Sequence, residues 1–258
     1  MYNIFTPTQF TGIQLLELED CGSTNEFLSA LSREKNVPEG FIVITPNQTS
    51  GKGQRGNSWI AEPGINLTFS ILYKPNFLPL EKQFYLSIAI ALGISDAFNT
   101  ILPTSIKWPN DIYTINSSGK SKKLGGILIE NTIKNNQFEN SIIGIGLNIN
   151  QLDFPIEGPS SLRLETNTFY QPNEILNLVV EKIEKRYLQL KNEQFALLEN
   201  HYYNSLYLIN KKSRFKANNK VFEGEIQGID QYGRLVINDG KNDLYFAVGE
   251  IIFLEKAN

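Results

Sequence analysis

Sulfur and imidazole side chains are almost missing from this 258-residue chain, which has one cysteine, Cys21, and one histidine, His201. A single cysteine excludes an internal disulfide, and the two residues together are too few for a conventional zinc site. Serine–histidine catalysis is also disfavoured, because His201 lies in an aromatic helical stretch where a packing role is expected. The chemistry must therefore come from other side chains.

Positive charge and long apolar runs are scarce as well. Lysine and arginine number 24 against 27 acidic residues, so the net charge of −3 leaves no basic excess to hold a nucleic-acid backbone. No apolar run approaches the roughly 20 residues of a membrane-spanning helix, and the N-terminus lacks the pattern of a signal peptide. We therefore expect a cytoplasmic protein that binds neither nucleic acid nor membranes.

The hydrophobic pattern predicts a large N-terminal domain of mixed strands and helices. Alternating or β-branched runs predict strands at residues 13–19, 41–45, 65–73, 106–108, 111–115, 124–133 and 141–149. A capping box from Ser23 to Glu26 predicts a helix start, and helical spacing predicts further helices at residues 80–99, 172–190 and 195–208.

From about residue 212 the pattern changes to short alternating segments. Glycines interpreted as turns separate these segments, at Gly224, Gly228, Gly233, Gly240 and Gly249. Such punctuation is typical of a small β-barrel. We therefore predict two domains, residues 1–210 and residues 211–258.

The glycine-rich loop, residues 51–56, reads Gly-Lys-Gly-Gln-Arg-Gly. Its spacing fits a dinucleotide-binding fingerprint, but that fingerprint must open a helix, and here another strand follows. With Lys52 and Arg55, the loop could fold its backbone amides over an anion, or it could be a mobile hairpin loop. The Gly-Lys-Ser sequence at residues 119–121 matches the end of a P-loop but lacks that motif's first glycine, and it is interpreted as a solvated turn.

Another polar cluster is Lys107-Trp108-Pro109-Asn110-Asp111. Asp111 offers a hard oxygen ligand for magnesium, Asn110 can hydrogen-bond a phosphate, and Lys107 supplies a point charge to phosphate oxygens. The cluster therefore indicates a nucleotide site, with a capped turn as the alternative interpretation.

The segment from Lys123 to Glu130 carries paired glycines, Gly125 and Gly126, inside an apolar strand. Glycine forfeits packing in a strand unless something must approach the backbone closely. A flat ligand lying on the strand would explain the pair, and Lys123 would then direct its ammonium inward. The alternative is that Lys123 is one of several surface lysines.

Five segments together resemble the biotin protein ligase family, in the order that the family has them, over nearly the whole chain. They are Ser23-Thr24-Asn25; Gln48-Thr49 with residues 51–56 and Trp59; Lys107 to Asp111; Lys123 to Glu130; and Gly144 to Asn150 (GIGLNIN). Any one of these could arise by chance, whereas five in order could not.

The resemblance implies an α+β fold: a mixed β-sheet flanked by helices, similar to the class II tRNA synthetase catalytic core, then an SH3-like β-barrel. It implies an enzyme that uses ATP and Mg²⁺ to form biotinyl-5′-AMP and transfers biotin to a lysine of a biotin carboxyl carrier protein domain. Since the first motif begins at Ser23, we expect the monofunctional type without the DNA-binding domain, as a monomer or homodimer.

The resemblance also assigns roles by motif. Biotin would contact Ser23, Thr24, Asn25, Gln48, Gly51, Lys52, Gly53, Gln54, Trp59, Lys123, Gly125 and Gly126. The nucleotide would contact Arg55, Lys107, Asn110, Asp111 and Asn148, with Asp111 as the magnesium ligand. Catalysis would depend on Lys123, Lys52, Arg55 and Asp111, because carboxylate attack on a phosphate needs fixed cations.

The glycine-rich loop departs from the family pattern at two positions. Lys52 replaces the usual first arginine, which keeps the charge but loses the two-pronged donor set. Gln54 stands where many relatives have a second arginine, so the charge is lost there. We therefore expect this loop to hold an anion less firmly.

Two other functions fit parts of the sequence. A lipoate ligase would share the fold and the adenylation chemistry, but its typical paired-arginine, triple-glycine motif is missing. A non-enzymatic biotin sensor would not need the nucleotide-side residues. Both alternatives can be distinguished by testing adenylate formation.

Overall fold

The computed structural model describes residues 1–5, 7–115 and 121–254. The turn predicted at residues 119–121 therefore lies outside the described residues except for Ser121. Within the described part of the chain, no helix is long and apolar enough to cross a membrane.

A seven-stranded mixed sheet forms the larger part of the molecule. Its strands follow the order β1-β2-β3-β7-β6-β5-β4, and only the β1/β2 pair is parallel. The bounds are β1 Leu15–Glu17, β2 Ile42–Thr45, β3 Leu67–Tyr73, β4 Thr104–Lys107, β5 Asp111–Ile115, β6 Ser121–Lys134 and β7 Gln137–Leu147. All seven strands were predicted, although β1 is shorter than its apolar pattern suggests.

Helices cover both faces of this sheet. They are α1 Thr24–Glu34, α2 Phe84–Phe98, α3 Leu162–Thr166, α4 Pro172–Lys191 and α5 Phe195–Ser205. Because side chains alternate along a strand, Val43 and Leu72 pack with Leu28 of α1, whereas Ile42 and Ile44 join the core of α2 and α4. Five-residue α3 was not predicted, because its apolar pattern is too short to show a helical period.

The packing of α2 against α4 requires a glycine. A Cβ atom on Gly93 would lie 2.6 Å from Cα of Ile183, so the two helix backbones meet at this point. On α4, Arg186 also reaches His201 of α5, with 2.6 Å between Nη1 and Nδ1. His201 is thus a half-buried partner of an arginine rather than an apolar packing residue.

The N-terminal segment is tied to α4 by side chains that bind its backbone. Buried Glu184 accepts hydrogen bonds from the amides of Gln9, Phe10 and Thr11 at 2.5, 3.1 and 2.7 Å. Two turns earlier on the helix, Asn177 accepts from the amide of Phe5 at 2.7 Å. The polar stripe of α4 therefore fixes the path of residues that belong to no helix or strand.

The C-terminal part forms a five-stranded antiparallel sheet of order β11-β10-β9-β8-β12. Its strands are β8 Lys212–Ala217, β9 Lys220–Ile229, β10 Leu235–Asn238, β11 Asp243–Phe246 and β12 Ile252–Leu254. Gly224 and Gly228 lie within β9 and are not turn residues as predicted. A Cβ atom on Gly224 would lie 2.6 Å from Cγ2 of Ile237, so cross-strand packing requires that glycine.

The two sheets confirm the predicted α+β class, with a mixed helix-flanked sheet followed by an antiparallel one. They are joined by direct contacts, since the indole Nε1 of Trp108 donates to the carbonyl of Gly233 at 2.9 Å. Trp108 is only 4% exposed. The C-terminal sheet therefore packs against the segment where the nucleotide-side residues were predicted.

Candidate active site

A cavity of about 370 Å³ opens on the face of the large sheet that carries α1. Its floor is made of glycines, with Gly126 of β6 paired to Gly146 of β7 and Gly144 nearby. A Cβ atom would lie 2.3 Å from Cε2 of Trp59 if placed on Gly146, and 2.5 Å from Oδ1 of Asn25 if placed on Gly144. The missing side chains leave a flat backbone surface for these neighbours.

One end of the cavity is a polar network at the start of α1. The amide of Thr24 donates to Oε1 of Gln48 at 2.9 Å, and Ser70 Oγ lies 2.7 Å from Thr24 Oγ1 and 2.6 Å from Asn25 Oδ1. Nδ2 of Asn25 donates to Glu130 at 2.7 Å. Because each polar atom holds another, the end of the cavity is arranged in advance for a polar ligand group.

The sequence explains why this network sits there. Ser23 caps α1 by accepting from the amide of Glu26 at 3.4 Å, as the capping box predicts. Backbone bonds then align the chain after β1 with the chain after β2, from Thr49 to Cys21 at 2.9 Å and from Ser50 to Gly22 at 2.8 Å. These bonds bring Gln48 beside Thr24.

The glycine-rich loop is a hairpin that covers one side of the cavity. Gly53 donates to the carbonyl of Asn57 at 2.7 Å and Trp59 to that of Gly51 at 2.9 Å, with a single 3₁₀ turn at Gln54–Gly56. Within the described residues no α-helix begins here, in agreement with the rejection of a dinucleotide fingerprint. Gly51 is needed because a Cβ atom there would lie 2.3 Å from the carbonyl oxygen of Trp59.

The cation of Lys52 is directed at α1. Its ammonium forms an ion pair with Glu26, and this hydrogen bond raises the pKa of Lys52 above its ordinary value. Glu26 therefore serves two elements, since its amide donates to the capping hydroxyl of Ser23 and its carboxylate holds the loop. The pair is half exposed, so its strength is limited by solvent screening.

Lys123 and Asp111 meet on the cavity floor. The Nζ atom of Lys123 lies 2.7 Å from Oδ1 of Asp111, with side chains 28% and 21% exposed. Both atoms would lie 3.4 Å from a Cβ atom on Gly126, which is paired in register with Asp111. The ring centroid of Trp59 is 5.9 Å from the same ammonium. A cation held by an ion pair thus lines the cavity.

The Lys107 to Asp111 segment forms the adjoining wall. Nδ2 of Asn110 donates to the carbonyl of Ile127 at 2.7 Å, which ties the turn to β6. The ammonium of Lys107 lies 4.7 Å from the ring centroid of Tyr113 and 5.2 Å from that of Phe253 in β12. The turn is therefore held from both sheets.

Fourteen of the seventeen residues predicted for the site line this one cavity. Gly51, Gly125 and Asn148 do not line it. A Cβ atom on Gly125 would lie 2.5 Å from Cδ2 of Leu147, so the neighbouring strand accounts for this glycine without a ligand. Asn148 donates to the carbonyl of Ser160 at 3.0 Å, and the segment it holds pairs with the backbone of Lys123.

Comparison with known proteins assigns the family. The biotin/lipoate A/B protein ligase family model matches residues 19–148, and the biotin protein ligase C-terminal domain model matches residues 209–254. The chain belongs to the biotin/lipoate A/B protein ligase family.

Individual relatives cover nearly the whole of this ligase-family chain. The bifunctional ligase/repressor BirA of Bacillus subtilis is 30% identical over 93% of this chain and 74% of its own length. The biotin–[acetyl-CoA-carboxylase] ligase of Mycobacterium tuberculosis is 25% identical over 93% of this chain and 89% of its own. The biotin protein ligase from Aquifex aeolicus, solved in complex with biotin and ATP, superimposes with a TM-score of 0.77 at 26% identity, over 95% and 100% of the two chains.

The C-terminal wall of this ligase-family site was not predicted. Residues 247–250 form a turn between β11 and β12, in which Val248 and Gly249 line the cavity, as do Ile251, Ile252 and Phe253. No local pattern marks them, because their role depends on how the two sheets dock. By contrast, the glycine floor could have been predicted from the sequence, because Gly144 and Gly146 are two residues apart and therefore lie on the same face of a strand.

Metal-binding groups are sparse in this ligase-family site. Among the described residues, no three histidine, cysteine, aspartate or glutamate side chains cluster as a metal site, and Asp111 brings the one carboxylate to the cavity lining. Magnesium usually takes one or two protein carboxylates and completes its shell with substrate phosphates and water. A single aspartate therefore fits magnesium that arrives with a nucleotide.

Proposed function

We propose that this protein is an ATP-dependent ligase that forms biotinyl-5′-AMP and transfers biotin to a specific lysine of a biotin carboxyl carrier protein domain. The observation that carries the proposal is the convergence of the polar network at Thr24, the glycine floor and the Lys123–Asp111 pair in one cavity. A ligand of the size of biotin, with a polar group at one end and a carboxylate at the other, fits a cavity in which these three surfaces adjoin.

Biotin has a planar ureido ring at one end and a carboxylate at the other. The network of Thr24, Asn25 and Gln48 offers donors and acceptors to the ureido group, and the side chain of Trp59 covers the apolar middle against Gly146. The indole Nε1 of Trp59 is buried without a hydrogen-bond partner, so a bound ligand can supply an acceptor. The carboxylate then reaches towards Lys123.

The first reaction joins two anions. A carboxylate oxygen of biotin attacks the α-phosphorus of ATP, a new oxygen–phosphorus bond forms, and the bond to the β-phosphate oxygen breaks to release pyrophosphate. Lys123 is placed to neutralise the charge that gathers at the meeting point, and Asp111 orients its ammonium. Lys107 and Asn110 are the proposed contacts for the nucleotide.

In the second reaction the amine of an acceptor lysine attacks the carbonyl carbon of the adenylate. An amide bond forms, the bond to the phosphate oxygen breaks, and AMP leaves. Positioning of the two reactants contributes much of the rate in such a transfer. The same ammonium of Lys123 is available to the leaving phosphate.

Magnesium would be held by Asp111 together with the ATP phosphates, and it would supply charge neutralisation for the phosphate chain.

We further propose that residues 1–210 form the ligase domain and residues 211–258 the C-terminal domain. The protein would work in the cytoplasm, where ATP and carboxylases are available. It would act as a monomer or homodimer.

The matching family includes lipoate ligases, so its name alone does not choose the acid. The match of residues 209–254 to the biotin protein ligase C-terminal domain favours biotin. A biotin sensor is disfavoured, because the cavity joins the proposed biotin contacts to a fixed cation suited to phosphate chemistry.

The exchange of pyrophosphate into ATP tests the proposal. Biotin should support exchange in the presence of magnesium, whereas lipoate should not. Exchange with lipoate alone would assign the chain to the other branch of the family. Tight biotin binding without any exchange would identify a sensor.

A further inference from the structure

Arg55 reaches out of the glycine-rich loop to the C-terminal sheet. Its Nη1 atom donates to the carbonyl oxygen of Val248 at 2.7 Å, across 193 positions of sequence. Val248 belongs to the 247–250 turn, and both residues line the cavity. The loop and the turn thus meet at the mouth of the proposed active site.

Gly249 makes room for this contact. Its φ is +80°, and a Cβ atom would lie 1.1 Å from Nη1 and 2.2 Å from Cζ of Arg55. The guanidinium therefore occupies the space of the side chain that any other residue would have. Because the guanidinium is the end of a flexible side chain, Arg55 can move aside for a Cβ atom, but it then leaves this position against the turn.

The backbone of the loop is also set for this contact. Arg55 has φ 56° and ψ 37°, a left-handed conformation that residues other than glycine adopt uncommonly. The hydrogen bond to Val248 helps to hold this conformation, because it fixes the end of the side chain on the turn between β11 and β12. The space at Gly249 and the backbone conformation of Arg55 therefore belong to the same contact.

We infer that Arg55 and Gly249 form a latch that holds the glycine-rich loop closed against the C-terminal sheet. Both are positioning residues, since they act on the cavity through the loop. Arg55 thereby acts through loop closure, whereas the sequence assigned it to the nucleotide. The consequence for the reaction rests on the proposed function: a latched loop keeps the adenylate in the cavity until an acceptor arrives.

Limited proteolysis of the full chain tests the latch without any substrate. Trypsin can cut after Lys52 once the loop opens, and mass spectrometry identifies that cut. Gly249→Ala should raise its rate roughly tenfold, as expected for the loss of one charge-assisted hydrogen bond. Gly240→Ala is the matched control, because Gly240 has φ +90° in another turn of the same sheet with nothing within 4 Å of its Cβ position.

The double variant separates the latch from backbone strain. Arg55→Ala should raise cleavage after Lys52 as much as Gly249→Ala does, and combining the two should add nothing further. If Gly249→Ala fails to fold, Arg55→Ala carries the comparison alone. Equal cleavage of wild type and Arg55→Ala, or of Gly249→Ala and Gly240→Ala, would overturn the latch.

The release rate of biotinyl-AMP provides the functional readout. Gly249→Ala and Arg55→Ala should each release it roughly tenfold faster than wild type, with Gly240→Ala unchanged. A wild-type protein that makes no biotinyl-AMP would defeat the proposed function, while the proteolysis result would still decide the latch. Faster cleavage with unchanged release would show that the contact does not retain the intermediate, and would overturn its proposed consequence.

Discussion

The ammonium of Lys123 and the carboxylate of Asp111 lie 2.7 Å apart on neighbouring strands, and both would be in contact with a Cβ atom placed on Gly126. The pair is only partly exposed, so the lysine is oriented without being sealed from a ligand. This arrangement gives the cavity a cation whose position does not depend on substrate. The proposed adenylation chemistry requires such a group.

We expect Lys123→Ala to slow biotinyl-AMP formation by at least about 100-fold, since one preorganised charge-stabilising group typically contributes roughly 3 to 4 kcal/mol. Single-turnover adenylation measures the effect. Lys134→Ala is the control, because Lys134 lies on the same strand β6 and pairs on the surface with Glu139. A Lys123→Ala rate close to that of the control would contradict the assigned role.

Gln54 lines the cavity, at the position where the resemblance of the loop to the family pattern implies an arginine. A charge-assisted hydrogen bond is stronger than a neutral one by roughly a factor of two, so Gln54→Arg should slow the release of biotinyl-AMP. Labelling of a lysine-rich bystander protein should fall with it. Gln231→Arg adds the same charge on an exposed turn away from the cavity and should change neither quantity.

Equal release rates for wild type and Gln54→Arg would mean that the other loop contacts already retain the adenylate. The pairing of Lys52 with Glu26 argues against compensation by that lysine, because its charge is directed at α1.

Glu184 should be a strong determinant of stability. Glu184→Ala would leave three backbone amides near residues 9–11 without their acceptor, and we expect a loss of about 3 kcal/mol in the free energy of unfolding. Urea denaturation measures it, with Lys185→Ala, on the exposed side of the same helix, as the control. A loss below about 1 kcal/mol would show that water replaces the carboxylate at little cost.

Burial raises the pKa values of Tyr73, Tyr187 and Tyr202 well above the ordinary value of 10.0, and a hydrogen bond to Glu39 adds to the shift at Tyr187. Below pH 10 these phenols are protonated in both folded and unfolded chains, so their stabilising contribution is fully present. Above pH 10 only the unfolded chain releases the protons. Stability should then fall by about 1.4 kcal/mol per pH unit for each tyrosine.

Tyr202 offers a clean test of this pH dependence, because its hydroxyl is buried without a hydrogen-bond partner. Tyr202→Phe should keep or raise the free energy of unfolding at pH 7. Above pH 10, the decrease in that free energy per pH unit should be smaller by the contribution of one tyrosine. Tyr232→Phe, at a tyrosine that is 61% exposed, should leave the slope unchanged. Identical slopes in all three proteins would contradict the assignment.

The sequence predicts the parts of the site that depend on local chemistry. Ser23 caps a helix, Lys123 precedes a pair of glycines within an apolar strand, and the Lys107 to Asp111 turn carries a cation, an amide and a carboxylate. Each of these has a physical reason that can be read within a few residues. The positions of the strands along the chain also follow from alternating or β-branched apolar runs, which is why the α+β class was predictable.

Other parts of the site depend on contacts between distant segments. Three such contacts join elements far apart in sequence. Arg55 packs against Gly249, and Lys52 forms an ion pair with Glu26. The ammonium of Lys107 lies over the ring of Phe253. A lysine or arginine in a loop carries no sign of which partner it will meet. Gly125 was assigned to the ligand for the same reason, because the local sequence does not show that Leu147 of the neighbouring strand fills the space of its side chain.

The most direct test of the central claim is the intact mass of a biotin carboxyl carrier protein domain after incubation with this protein, biotin and Mg-ATP. We predict the mass increase of one biotinyl group on one lysine, which requires ATP and is abolished by Lys123→Ala. An acceptor that stays unmodified would contradict the account. So would an acceptor that gains a lipoyl group from lipoate but no biotinyl group from biotin.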